Sequence, residues 1–305
     1  MIGITPRNAM LAILLALLVI FPLLNVGTYW LFILFLYFIY FVLTSMWNLL
    51  AGYSGLVSLG QPSFIGIAAY TLGVLLMAGL PPYLCIIISG VTAAAFCFLI
   101  SFPLLRMRGI FFAIGTLTIS EALRVFFTNF KPTEETAIWG GAGIPILARV
   151  SLTELYYIAL FICVISIFLL RYILNSKFGL GLMAIRDNET AAYSCGVNSF
   201  KCKLYVFVIV SFFTGIIASI FYLFQGHVEP FSVFGISWTM IMLIAAVIGG
   251  IGTFEGPFIG AAIVVFLHQM LAKFAGLSLI IEGIIILVII LIAPKGIMGV
   301  IKRKA

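Results

Sequence analysis

Tyr29-Trp-Leu-Phe-Ile-Leu-Phe-Leu-Tyr-Phe-Ile-Tyr-Phe-Val-Leu-Thr-Ser-Met-Trp-Asn-Leu-Leu50 contains no charged side chain and is long enough to cross the hydrocarbon of a bilayer as one helix. It is embedded in a wider uncharged window from Ala9 to Pro103. Across the 305 residues, 64% are hydrophobic and only 8% charged, against about 25% charged in a soluble domain. No water-soluble core hides that much apolar surface. Charges that fall together between long apolar runs are the pattern a bilayer imposes, because each crossing must satisfy its own backbone within a helix.

Reading apolar windows between turn signals predicts an all-α, polytopic bundle of about ten crossings. These fall at 9–25, 29–50, 62–80, 83–105, 109–129, 153–175, 204–225, 236–251, 258–274 and 277–294. Pro81-Pro82, Gly109, Pro132 and Pro294 supply breaks between them. The chain reads as one transmembrane domain, 1–305. The first run is read as a crossing rather than a cleaved leader, because no small-residue cleavage site follows Phe21-Pro22-Leu23-Leu24-Asn25.

A net charge of +7 raises nucleic acid as a partner, but the basic residues sit at the ends of apolar runs, where lipid headgroups and membrane orientation explain them. Threading the crossings alternately from a cytoplasmic start puts twelve basic residues inside: Arg7, Arg106, Arg108, Arg171, Lys177, Arg186, Lys201, Lys203, Lys295, Lys302, Arg303 and Lys304. Three fall outside, Lys131, Arg149 and Lys273, and Arg124 stays within a crossing. Both termini are then cytoplasmic. The two substantial loops differ in character: 130–152 is external and carries Glu134 and Glu135, whereas 176–203 is internal and basic. The five cysteines show no metal or redox spacing.

Two glycine-rich segments interrupt the apolar runs. The first holds Gly55, Gly60, Gln61 and Pro62, and the second Gly250, Gly252, Gly256 and Pro257. A proline, a Phe-Ile-Gly and an Ala-Ala recur in both, which hints at a parallel duplication. Glycine permits positive φ and close helix approach, and proline removes a helix donor, so these segments suit broken helices lining a pathway. The plainer alternative is a pair of tight turns with small-residue packing. The internal loop combines good helix formers, acidic residues placed early and a stop at Gly196, predicting a short helix on the membrane surface. Such a helix either docks a partner or is a solvated loop that only sets topology.

Glu121 and Arg124, three apart in the fifth crossing, share a helix face and are expected to pair toward the bundle interior. They are either a lining for a zwitterionic solute or an interhelical clasp. Glu282 reads as interfacial, and His227 and His268 as packed or interfacial residues without a metal-ligand partner at helical spacing. An ion-coupled secondary transporter would need intramembrane carboxylates, of which only Glu121 and Glu282 offer themselves. An intramembrane enzyme would need paired aspartates, a His-Glu-x-x-His or a nucleophile elbow, and none is present.

Four motifs in order, Ala51-Gly-Tyr-Ser-Gly-Leu-Val-Ser-Leu-Gly-Gln61, Arg108-Gly-Ile-Phe-Phe-Ala-Ile-Gly-Thr-Leu117, Ala184-Ile-Arg-Asp-Asn-Glu189 and Ile248-Gly-Gly-Ile-Gly-Thr253, resemble the LivM-type permeases of bacterial ATP-binding-cassette importers for branched-chain amino acids. The likeness runs from about Thr44 to Pro294. It implies a bacterial or archaeal cytoplasmic-membrane permease working with a LivH-like second permease, two cytoplasmic ATPase subunits and an extracytoplasmic substrate-binding protein. It also implies a coupling helix, to which Arg186, Asp187, Asn188, Glu189, Ala191, Ala192 and Gly196 would belong. No cofactor is expected: the chain has no Gly-x-x-x-x-Gly-Lys-Ser/Thr cradle for ATP. Three departures from the family bear on substrate identity. The external loop reads Trp139-Gly140-Gly141-Ala142-Gly143, the stretch at Trp238 lacks an acidic residue, and Glu255 stands where relatives commonly have an aromatic.

Overall fold

The structure is a computed structural model that describes residues 16–24, 27–130, 140–271, 283–284 and 296–299. Eleven helices are named here in chain order. The first, α1 (Thr28–Asn48), continues directly into a π-helical turn, Leu49–Tyr53. It is followed by α2 (Gln61–Met77), α3 (Pro82–Leu104), α4 (Ile110–Asn129) and α5 (Leu152–Leu174). Two short helices come next, α6 (Lys177–Asp187) and α7 (Glu189–Ser194). The remainder are α8 (Ser199–Gln225), α9 (Pro230–Val233), α10 (Ser237–Gly249) and α11 (Gly256–Leu271).

Local chemistry explains where these helices start. Prolines that need no amide partner open α2, α3 and α9 in their first turns. Side-chain caps open α5 (Ser151), α6 (Ser176), α7 (Asn188) and α8 (Asn198). Among the described residues, six segments are long and apolar enough to cross a membrane: Thr28–Tyr53, α3, α4, α5, α8 and Pro230–Gly249. α2 and α11 are shorter apolar helices, each starting just after one of the glycine-rich breaks.

The predicted crossings from 29 to 274 match these elements to within three residues, with one exception. The seventh was expected to start at 204, but α8 begins at Ser199 because Asn198 Oδ1 accepts from the Lys201 amide at 3.0 Å. Lys201 and Lys203 are therefore on a helix and not in a loop. The crossing expected at 9–25 is described only over 16–24. That expected at 277–294, together with Glu282, the basic residues of both termini, Lys131, Glu134, Glu135, Trp139 and Lys273, lies outside the described residues, apart from 283–284. Among the described residues, the all-α expectation has one small exception: β1 (Ile144–Pro145) pairs antiparallel with β2 (His227–Val228) and ties the 140–150 segment to the end of α8.

α1 and α8 form the centre, with 72% and 67% of their apolar stretches buried. α8 packs on α3 through small residues: a Cβ on Gly215 would lie 2.7 Å from that of Ala93, so the axes approach more closely than branched side chains allow. α5, α10 and α11 gather around α1, and α2 fits between α3 and α8. α4 is the least covered, with 17% buried.

Helix ends sort into two groups. At one end, α6 touches the π-turn, residues 296–299 begin against Gly250, and Phe102 meets Phe200. At the other are the β1–β2 ladder and the Tyr83 hydroxyl, which donates to Glu154 at 2.7 Å.

Candidate functional site

The first break is non-helical backbone inside the bundle, which a membrane protein tolerates only where protein groups take up the exposed amides and carbonyls. Each contact has an identifiable donor. The Trp47 indole donates to Ser58 O at 2.9 Å, the Leu59 amide donates to Thr116 Oγ1 at 3.1 Å, and the Thr239 hydroxyl donates to Leu59 O at 3.1 Å. Gln61 then starts α2 fully buried, its Oε1 accepting from Thr214. Side chains from α1, α4 and α10 thus converge on six residues of irregular chain, 55–60, and one from α8 meets Gln61 at its end.

The second break crosses the first. Asn48, buried at the last residue of α1, accepts from the Gly252 amide at 2.8 Å and donates to Thr253 O at 2.9 Å. A Cβ on Gly52 would sit 2.5 Å from both Asn48 Oδ1 and the Gly252 nitrogen, so only glycine permits this approach. Gly252 itself has φ +75°, a left-handed conformation that branched and bulky residues avoid. Thr253 caps α11 by accepting from the Gly256 amide at 3.1 Å, and Pro257 follows in the first turn. Glu255 lies within electrostatic reach of Tyr53.

The basic loop meets the crossing. It is not the single helix expected but two, because Asn188 adopts an extended backbone and its carboxamide caps α7 by accepting from the Thr190 and Ala191 amides, both at 3.0 Å. Gly196 closes α7 at φ +83°, and the Val197 amide reaches back to Ala192 O at 3.0 Å. At the end of α6, Arg186 Nη1 donates to Gly52 O at 2.8 Å, while Asp187 Oδ1 holds the same guanidinium from the solvent side at 2.9 Å. Lys203 Nζ donates to Glu189 Oε1 at 2.6 Å, which pins α7 to α8 and leaves the carboxylate partly exposed. Ala192 is buried beneath α7, while Ala191 is exposed. Leu180 and Tyr193 stand out on the loop, 62% and 74% exposed.

The Glu121–Arg124 pair forms, with Nε at 2.8 Å and Nη2 at 2.6 Å from Glu121 Oε2, but it does not face the interior of this chain. α4 buries a stripe of Phe112, Thr116 and Ser120. At 100° per residue, Glu121, itself half-buried, falls on the opposite stripe with the exposed Ile114, Thr118 and Val125. The Arg124 guanidinium also lies over the Phe231 ring, 4.9 Å from its centroid, and that is its contact with another element.

The breaks, the loop and the Glu–Arg pair were readable in the chain as separate signals; that the loop meets the crossing of the two breaks was not. Asn48, Thr253 and Lys203 carry hydrogen bonds that tie the site together and were not singled out. Asn48 did leave a trace, as the one amide in the run 29–50. His227 lies in the ladder and His268 is edge-on to Tyr40, in keeping with packed or interfacial roles.

Against known proteins, the family described as branched-chain amino acid transport system / permease component matches residues 29–294. The chain is 30% identical to the high-affinity branched-chain amino acid transport system permease protein LivM of Escherichia coli strain K12. It is 28% identical to the protein of the same name from Salmonella typhimurium strain LT2. Each match covers 82% of this chain and 65% of the relative, so the chain spans under two thirds of those proteins' length. No solved structure matches.

Proposed function

The chain belongs to the branched-chain amino acid transport permease family, and we propose that it is the membrane-spanning permease subunit of an ATP-binding-cassette importer for small amino-acid-like solutes, branched-chain amino acids foremost. Its setting is the cytoplasmic membrane of a bacterium or archaeon. A LivH-like second permease covers the open face of α4. Two ATPase subunits dock under α6 and α7, and an extracytoplasmic binding protein delivers solute at the opposite end.

The observation that carries this reading is Glu121 on the outward stripe of α4. A carboxylate or guanidinium facing lipid near mid-membrane is strongly unfavourable, so such groups face protein or a water-filled path. The stripe therefore calls for a second subunit and for a hydrophilic route at the joint. There the Glu121 carboxylate and Arg124 guanidinium suit the ammonium and carboxylate of a zwitterion. ATP binding and hydrolysis in the partners rock the two permeases between outward-open and inward-open states, and solute is carried because its affinity differs between them.

Reconstitution into vesicles with the second permease, the ATPases and the binding protein tests this. Uptake should require ATP on the loop side, and Glu189→Gln or Gly196→Val should cut substrate-stimulated ATP hydrolysis while the chain still inserts. Uptake by the purified chain alone under an ion gradient would replace the importer with a secondary transporter.

A further inference from the structure

We propose that Arg186 is the positioning residue through which the loop controls the crossing of the two breaks: its guanidinium holds the inner end closed, and its withdrawal releases Gly52 and Gly252. The proposal rests on α6 and α7 being the coupling element and names the atoms through which that element acts.

The Gly52 carbonyl is open to such a contact for a backbone reason. In an α-helix it would accept the Leu56 amide, but the chain leaves the helix at Gly55, φ +74°, and the Leu56 amide donates to Leu50 O instead, at 3.1 Å. Gly52 O is thus an orphan acceptor at the C-terminal, partially negative end of a 26-residue helix. A guanidinium is the side chain best matched to it, being permanently charged and having several donors in one plane.

The same arginine also lies beside the other break. A Cβ on Gly252 would lie 3.4 Å from Arg186 Nη1, and one on Gly55 would lie 3.3 Å from Arg186 Cγ. One side chain of the loop therefore abuts three glycines of the crossing.

Two ties of different character meet at the crossing. Asn48, 2% exposed, binds the end of α1 to the second break with two neutral hydrogen bonds shielded from water. Arg186, with a side chain 38% exposed, binds loop to break, and Asp187 and water compete for its donors. The second tie is the one that a movement of the loop breaks first. Asn48 then keeps the end of α1 and the second break together as they shift, so the halves of the bundle move as a pair.

The test uses the assembled transporter in a Cys195→Ser background with a thiol reporter at Ser54→Cys, which is buried beside the crossing. Arg186→Gln should leave the ATPases co-purifying. It should also raise the rate at which a water-soluble thiol reagent reaches position 54 without nucleotide by about tenfold, the order of one charge-assisted hydrogen bond, and lower solute carried per ATP. Arg186→Lys, which keeps a charge and one donor toward Gly52, should recover part of both, and it decides the matter if the glutamine variant does not assemble. Unchanged labelling and unchanged uptake per ATP in these variants would overturn the proposal. So would loss of the ATPases from either variant, since Arg186 would then be a docking contact. Failure of the ATPases to bind the unaltered chain would instead remove the importer reading itself.

Discussion

Gly52 shows how little room the crossing leaves. Replacing it with alanine places a methyl group 2.5 Å from Asn48 Oδ1 and from the Gly252 nitrogen, both held by hydrogen bonds and unable to move apart cheaply. Overpacking of this kind costs about 1–3 kcal/mol. Gly52→Ala should therefore lower the apparent thermal midpoint of the detergent-solubilised chain. Gly27→Ala, with nothing within 4 Å of the new methyl, should leave it unchanged. Equal midpoints for the two variants would mean that the breaks do not touch. The glycines themselves were legible as break-formers, but Asn48 was not, because an amide in an apolar run does not announce its partners. Those partners lie 204 and 205 residues away in the chain.

Among the elements, α4 and the loop depart most from what the chain pattern suggested. Glu121 and Arg124 were expected to face inward because intramembrane charges do so. They do not face inward here because three small or aromatic residues, Phe112, Thr116 and Ser120, form the side of α4 that fits against the first break and Phe234. Thr118 lies on the outward stripe with Glu121. In the Cys195→Ser background, Thr118→Cys should react with a charged, water-soluble thiol reagent in the assembled transporter, and solute should slow the reaction. Silence in every nucleotide state would place this face against lipid or a dry interface. The loop was legible as a helix with a glycine stop, but its division at Asn188 was not, since a cap and an ordinary helix residue look alike until the backbone turns. The ion pair of Glu189 with Lys203, on the first turns of α8, was likewise not legible.

For the molecule as a whole, the proposed orientation puts the crossing and the loop on the ATPase side. Nature supplies a probe: Cys195, at the end of α7, is exposed, Cys202 is partly covered, and Cys85, Cys97 and Cys163 are buried. An impermeant maleimide should label Cys195 only after the cells are opened, with Cys195→Ser as the control. Labelling of intact cells would invert the chain in the membrane.

Apolar length, the scarcity of charge and the placement of proline and glycine were enough to determine a polytopic helical membrane protein and most of its helix limits. These are local consequences of keeping backbone polar groups out of hydrocarbon, and each is decided within a score or so of consecutive residues. The tertiary structure alone decided that Asn48, at the end of α1, is tied to a break some 200 residues away, that Arg186 donates to Gly52 O, and that the Glu121 stripe points away from the bundle. Those outcomes depend on which helix faces meet, and a helix's periodicity states how wide its apolar stripe is without saying which neighbour will cover it.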